Sequence, residues 1–320
     1  MPPPQQPSWH RRKFLKTTLT GAGGVAVFSV LGGCAGARFV SRGKSGAAAR
    51  SLLLNTGWLF GPGDASAFDT VTLPHVVVPL SWRRWDPASW QKHWIYRRDF
   101  HLGAADVEGM RVFLEIGAAM TAATLLLNGH RLGEHAGGYL PLHHELTTLL
   151  KPGRNTVEVQ LDSRFNLNVP PDKPGKDPRS VDFWQPGGLY REARLHIVPP
   201  VCIRDVFAMP VDVLEAGRRL EVSCTIDAAE EPAVPLSLRA ELLHGNNTVA
   251  EGKAPVKPAG KGVHTVAVTL TGLENIRLWD VNDPQLYEVR VTLFAGDTPL
   301  HDYQVRTGFR EARFTRRIFP

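Results

Sequence analysis

The chain has 320 residues, 43% of them hydrophobic and 21% charged, which is enough apolar material for two folded domains and excludes a disordered polymer. The formal net charge of +6 is unevenly spread: residues 1–34 carry Arg11, Arg12, Lys13 and Lys16 with no acid, residues 35–50 carry four more cations, and the remainder is left at −2. A basic balance of that origin gives no support to a nucleic-acid partner, and none is expected.

The first element is an address rather than part of a fold. The string "HRRKFLK" is followed by an apolar run over residues 17–33, shorter than the ~20 residues a membrane span needs and without a polar face. It resembles a twin-arginine export signal built on Arg11 and Arg12, with His10 where Ser or Thr is more usual. Leu31-Gly32-Gly33-Cys34 resembles a lipobox, which would make Cys34 the lipidated first residue and give the protein a lipid anchor; the rival is plain cleavage after Ala35-Gly36-Ala37. Either way the expected location is outside the cytoplasm, periplasmic or held at a membrane by lipid. Residues 35–50 are rich in Gly, Ala, Ser and Arg and read as a flexible tether.

From residue 51 onward the hydrophobic period is two. Val112/Leu114/Ile116, Val157/Val159/Leu161 and Ala193/Leu195/Ile197 each mark one face of a strand, and Asn128-Gly129 reads as a tight hairpin turn. Short strands separated by turn signals predict an all-β fold, with a larger β-sandwich over residues 51–199. Pro199-Pro200 breaks the pattern, which restarts in "RLEVSCTI", "LSLRAELL", "HTVAVTL", "LYEVRVTLF" and "HDYQVRTGF". About seven strands over residues 200–309 predict an immunoglobulin-like sandwich without the Cys-Trp-Cys core. Cys202 and Cys224 fall in strand-like stretches, so a disulfide and a pair of buried thiols are both open readings.

Five strings then follow one another in order: "HWIYRRDF", "LLLNGHRLGEHAGGYLPLHHELTTLLKPGRNTVEVQLDS", "DFWQPGGLYREARLHIVPPVCIRDVFA", "LWDVNDPQLYEVRVTL" and "VRTGFREARF". Over residues 55–315 the chain resembles the N-terminal half of glycoside hydrolase family 2, the β-galactosidase, β-glucuronidase and β-mannosidase group. The resemblance implies a jelly-roll, galactose-binding-like domain followed by an immunoglobulin-like domain, and a β-glycoside as the partner molecule. It also implies a catalytic TIM barrel carrying an Asn-Glu acid/base pair and a nucleophilic Glu, the two carboxylates a retaining mechanism needs. A barrel takes roughly 250 residues. Residues 310–320 read as a stub leading towards one, and no Asn-Glu dipeptide occurs in the sequence. The expectation is an exported, β-galactosidase-like glycosidase of which this chain is the non-catalytic, truncated half; the alternatives are a stand-alone carbohydrate-binding lipoprotein and a sandwich that mediates only protein contacts.

By the same resemblance Asp182, in "DFWQPGG", reaches the sugar in the barrel's active site; Trp184, two residues on, is a second candidate substrate contact, since a sugar's C–H face packs on an aromatic ring. A carboxylate suits sugar hydroxyls because it accepts charge-assisted hydrogen bonds. Trp58 and Trp94 are expected in the core, whereas Trp82, Trp85 and Trp90 lie in the loop "PLSWRRWDPASWQKHW", where exposure and sugar stacking are conceivable. His143-His144-Glu145 cannot chelate together, because neighbours on a strand face opposite sides; no metal and no cofactor are expected. Without a barrel, Phe183, Trp184, Leu189, Phe314, Ile318 and Phe319 are expected to form an apolar surface that drives self-association or recruits a barrel-bearing partner.

Overall fold

The computed structural model describes residues 49–64, 66–79, 86–166, 168–169, 185, 187–257 and 260–312. These residues form two β-sandwiches in succession, and the only α-helices among them are two four-residue pieces, α1 (Pro87–Trp90) and α2 (Ala104–Val107).

The first sandwich packs a six-stranded sheet on a four-stranded one, all pairs antiparallel. The larger sheet has the order β3 (Asp69–Val71), β2 (Trp58–Pro62), β4 (His93–Leu102), β9 (Gly153–Asp162), β6 (Ala122–Leu127) and β7 (His130–Ala136). The smaller has the order β1 (Arg50–Leu53), β10 (Ala193–Val198), β5 (Arg111–Ile116) and β8 (Leu142–Glu145). The chain alternates between the two layers, so β9 lies between β4 and β6 and β10 between β1 and β5, as in a jelly roll. The nine apolar residues that the period-two pattern marks are no more than 1% exposed and meet in one core. Each such side chain contributes about 1.5–3 kcal/mol by leaving water. Asn128 (φ 52°) and Gly129 (φ 83°) make the expected tight turn between β6 and β7. The Asn128 side chain adds a tie: its Nδ2 donates to Leu149 O at 3.1 Å and its Oδ1 accepts from Thr156 N at 3.0 Å.

The second sandwich has a three-stranded sheet, β11 (Val201–Val211), β12 (Arg219–Ala228) and β15 (Gly262–Leu270). It faces a four-stranded one, β14 (Asn247–Pro255), β13 (Leu236–His244), β16 (Tyr287–Ala295) and β17 (Thr298–Thr307). This is the three-plus-four layout of an immunoglobulin-like domain. Phe309 continues the buried face of β17, fully covered and edge-on to Tyr287. Cys224 lies in this core, whereas Cys202 belongs to a separate small cluster with Phe113 and Val198; both thiols are free. The question left open by their spacing is thus settled by the strands, which send the two side chains into different packing environments.

That small cluster marks the junction between the sandwiches. Arg111, Phe113 and Glu115 on β5, His143 and Glu145 on β8, and His196 and Val198 on β10 point away from the first core. Their registers place Phe113 between His196 and Glu145, and Glu115 beside His143. Alternation would give this face to water, yet Arg111, Phe113, His196 and Val198 are all buried, because the second sandwich covers it. Arg111 grips Glu145 through two parallel bonds (Nε to Oε1 3.0 Å, Nη2 to Oε2 2.8 Å) and reaches Asp227 on β12 with Nη1 at 2.9 Å. The Glu145 carboxylate, with Asp227 behind it, holds the guanidinium proton more tightly than usual.

Arg111→Ala would leave the half-buried Asp227 without its ion-pair partner. Removing one partner of a buried pair costs about 3–5 kcal/mol, so urea unfolding of the variant should show a stability loss near the lower end of that range. Burial pushes both thiols up to about 12. In a Cys34→Ala chain, neither Cys202 nor Cys224 should react with an aromatic disulfide reagent at pH 8 until denaturant is added; two thiols titrating in the native protein would contradict this packing.

Candidate functional site

Asp182 and Trp184 lie outside the described residues, as do Arg11, Arg12, Cys34, Trp82, Trp85, Phe183, Phe314, Ile318 and Phe319. What the structure shows is the frame from which the Asp182 loop springs.

The loop leaves the first sandwich at the end of β9. Ser163 is buried there: its N–H donates to Lys92 O at 3.2 Å, and its hydroxyl accepts Trp94 Nε1–H at 3.0 Å while donating to Trp90 O. The loop returns at Gln185, also buried, and then at Gly187–Leu189. This returning foot is bonded on both sides, as a central strand would be. On one side His75 N donates to Leu189 O (2.8 Å) and Val77 N to Gly187 O (2.9 Å); on the other, Met120 N donates to Gly188 O (3.0 Å) and Gly188 N to Met120 O (3.3 Å).

The two glycines are there because nothing larger fits. A Cβ on Gly187 would strike the side chain of Ser163, so the two feet of the loop touch. Gly188 has φ +138°, and a Cβ there would collide with the His75 carbonyl and lie 2.9 Å from Val76 Cα. The segment between Ser163 and Gly187 thus starts and ends at adjacent points, and long connections of a sandwich often carry functional side chains.

Beneath the foot lies a buried aromatic layer. Leu189 and Tyr96 are fully covered. A backbone hydrogen bond from Leu189 reaches the Tyr96 hydroxyl, whose proton is then free to be donated to His75 Nδ1 at 2.8 Å. Burial pushes the Tyr96 phenol up and the His75 imidazole down, so both are neutral. Phe60 stacks on Trp94 at 5.0 Å and meets His75 edge-on at 4.6 Å. Beside the foot, a second loop is held just as firmly. Gly137 N donates to Thr121 O at 2.9 Å, the Tyr190 hydroxyl donates to Gly138 O, and Arg191 Nη1 donates to Tyr139 O at 3.0 Å. It presents Tyr139 and Leu140, 42% and 72% exposed, to solvent.

Two expectations need correcting. Trp90 ends α1 with its ring 3% exposed, because the helix folds its indole into the first core; it is no sugar platform. Leu189 belongs to the same core and contributes nothing to an exposed apolar surface. Trp58 and Trp94 are core residues as expected. His143 and His144 do face opposite sides: His143 stacks on Phe113 at the junction, and the His144 ring lies under Gly133 of β7. Sequence reading missed His75 and Tyr139, which carry no spacing signal, and passed over Gly187-Gly188, where a double glycine beside a candidate carboxylate was legible as a close approach.

The frame of the site lies in the first of the two sandwiches, and both sandwiches have counterparts among known proteins. Residues 83–193 match the glycosyl hydrolase 2 galactose-binding domain-like family, and residues 201–310 match glycosyl hydrolases family 2. A β-galactosidase of Thermoanaerobacter pseudethanolicus is 28% identical over 275 residues, covering 82% of this chain and 36% of its own length. One from Thermoanaerobacterium thermosulfurigenes is 26% identical, covering 78% and 34%. The solved structure of Bacteroides uniformis β-glucuronidase superposes with a TM-score of 0.70 at 23% identity, over 83% of this chain and 33% of that one, a likeness of fold. The chain belongs to glycoside hydrolase family 2, corresponds to its N-terminal part, and spans about a third of the length of these curated relatives.

Gly188→Ala combines a disfavoured backbone with a clash against backbone atoms and should cost more than about 2 kcal/mol. Gly109→Ala, also at positive φ (+66°) but with nothing within 4 Å, should cost about 1 kcal/mol. Paired denaturant titrations check the difference; equal losses would mean the foot is not packed as described.

Proposed function

We propose that this chain supplies the sugar-facing, non-barrel portion of an exported β-galactosidase-like glycoside hydrolase, and that Asp182 is its contribution to the sugar site. The observation that supports this most is the returning foot at Gly187–Leu189. It fixes the chain from both sides five residues after Asp182, and a carboxylate accepts charge-assisted hydrogen bonds from sugar hydroxyls. Tyr139, exposed beside the foot, offers an aromatic face of the kind that packs on a sugar ring. The two carboxylates of the hydrolytic step belong to a catalytic barrel, not to these sandwiches.

The purified chain should show no hydrolysis of nitrophenyl β-galactoside or β-glucuronide above a buffer blank. It should give a saturation-transfer NMR signal with methyl β-galactoside that Asp182→Asn removes. Turnover that survives repurification, or sugar contact indifferent to Asp182, would overturn the assignment; contact that depends on Asp182 with no turnover supports it.

Export is part of the same reading. Replacing Arg11 and Arg12 together by Lys should leave unprocessed precursor in the cytoplasm, and Cys34→Ala should abolish acyl labelling. Processing that continues in the Cys34→Ala chain, with no acyl labelling of the parent chain, would favour cleavage after Ala37 and a soluble periplasmic product.

A further inference from the structure

The connection between β15 and β16 is anchored on one side and apolar on the other. Leu273 and Ile276 are buried in the second core, so the stretch is held to its domain. Its outer part is tied to itself. Arg277 N donates to the Tyr287 hydroxyl at 2.9 Å and Arg277 Nη2 to Asp283 Oδ2 at 2.9 Å; Asn282 N donates to Asp280 Oδ1 at 2.9 Å and Gln285 N to Asp283 O at 2.8 Å. Asp280, Asn282, Asp283 and Pro284 supply what a turn requires. Nothing in that turn chemistry calls for the large side chains beside them, yet Leu278 is 41% exposed, Leu286 46% and Val281 78%, and Trp279 is half-buried.

The chain leaves the second sandwich across this loop. After β17, Gly308 passes so closely that a Cβ on it would lie 3.1 Å from Trp279 Cδ1 and 3.3 Å from Gln285 O. Phe309 O accepts the Trp279 N–H at 2.8 Å, and the Arg310 guanidinium lies over the indole, 4.9 Å from its centre. Glu311 Oε2 accepts the Leu214 N–H at 3.4 Å, in the turn between β11 and β12, where Leu214 is 55% exposed. Residues 313–320 follow directly, outside the described residues, with the sequence "RFTRRIFP". We propose that the Leu278–Leu286 loop is the docking surface for residues 313–320. Phe314, Ile318 and Phe319 cover its exposed leucines and Val281, and Arg313, Arg316 and Arg317 face its carboxylates.

Three observations select this occupant. The charges are complementary: residues 277–288 carry Asp280, Asp283 and Glu288 against Arg277 alone, a net −2, whereas residues 313–320 carry Arg313, Arg316 and Arg317 and no acid, a net +3. The chemistry has already begun in the described residues, because Arg310 of the outgoing chain rests on Trp279 of the loop. The segment is also tethered at the surface itself: Arg310 touches the loop, and residue 313 is three positions on. A tether that short makes the local concentration high, so contacts too weak to recruit a free partner suffice. A second copy of the loop is the poorer fit, since it would bring Asp280, Asp283 and Glu288 against the same acids.

The test is paramagnetic broadening from a nitroxide on Pro320→Cys, in the full chain carrying Cys34→Ala; Cys202 and Cys224 are buried and escape the label. The amides of Leu278, Val281 and Leu286 and the Trp279 indole should be broadened away, while Gly129 in the first sandwich stays sharp. Reversing Arg313, Arg316 and Arg317 to Glu should restore the loop signals, and so should Val281→Ser with Leu286→Ser, two exposed positions whose change leaves both cores intact. Sharp loop signals in the parent chain overturn the proposal. Broadening that survives both sets of substitutions also overturns it, because mere connection to Arg310 would then explain the proximity. Broadening seen equally when a labelled chain is mixed with an unlabelled, isotope-enriched one overturns it in favour of a contact between copies.

Discussion

Arg111 occupies a strand position that alternation assigns to water, and the second sandwich is where it is because of what that guanidinium needs. A charge buried on the outer face of a sheet is stable only if its partners come with it. Glu145 is supplied by the neighbouring strand of the same sheet, but Asp227 arrives only when β12 docks. Phe113 and Val198, on the same face, gain their cover from Cys202 in the same event. Docking is therefore specified by one polar triad with a small apolar cluster beside it, rather than by a broad hydrophobic surface.

The site is built on the opposite logic. The returning foot of the loop that carries Asp182 is held, among the described residues, by backbone hydrogen bonds, two glycines and a layer of neutral aromatics. His75 and Tyr96 complete each other's hydrogen bonding under Leu189, so a polar pair sits in an apolar layer without stray charge. The outcome is two chain ends, Ser163 and Gly187, packed against each other, with Tyr139 and Leu140 displayed beside them on an equally well-tied turn.

Much of this was legible in the amino-acid order, and the rest was hidden for definite reasons. The strands over residues 112–116, 157–161 and 193–197 show themselves because each buries one face in a core, which is what period two records. The same strands mislead at Arg111, Phe113 and His196, since alternation cannot say that a second domain will cover the outer face. Trp90 looked exposed because Pro87 and its polar neighbours read as loop, whereas one turn of helix capped by Asp86 is enough to turn the indole inward. The separation of Cys202 from Cys224 depends on which way each strand faces, a property of the sheet that spacing along the chain does not contain. Family resemblance carried the identity of the two domains, and it did so through turn and glycine strings such as "WQPGGLY", whose reason is the close approach of Gly187 to Ser163 and of Gly188 to His75.

The loop frame and the junction lie on different surfaces of the first sandwich. The returning foot at Gly187–Leu189 hangs on the segments around His75 and Met120, and Ser163 on those around Trp90 and Trp94, whereas the junction uses the outer face of β5, β8 and β10. They share no side chain, so changes at one should leave the other nearly untouched. Removing the Arg111 guanidinium would therefore weaken the docking of the second sandwich without breaking any hydrogen bond that holds the Gly187–Leu189 foot.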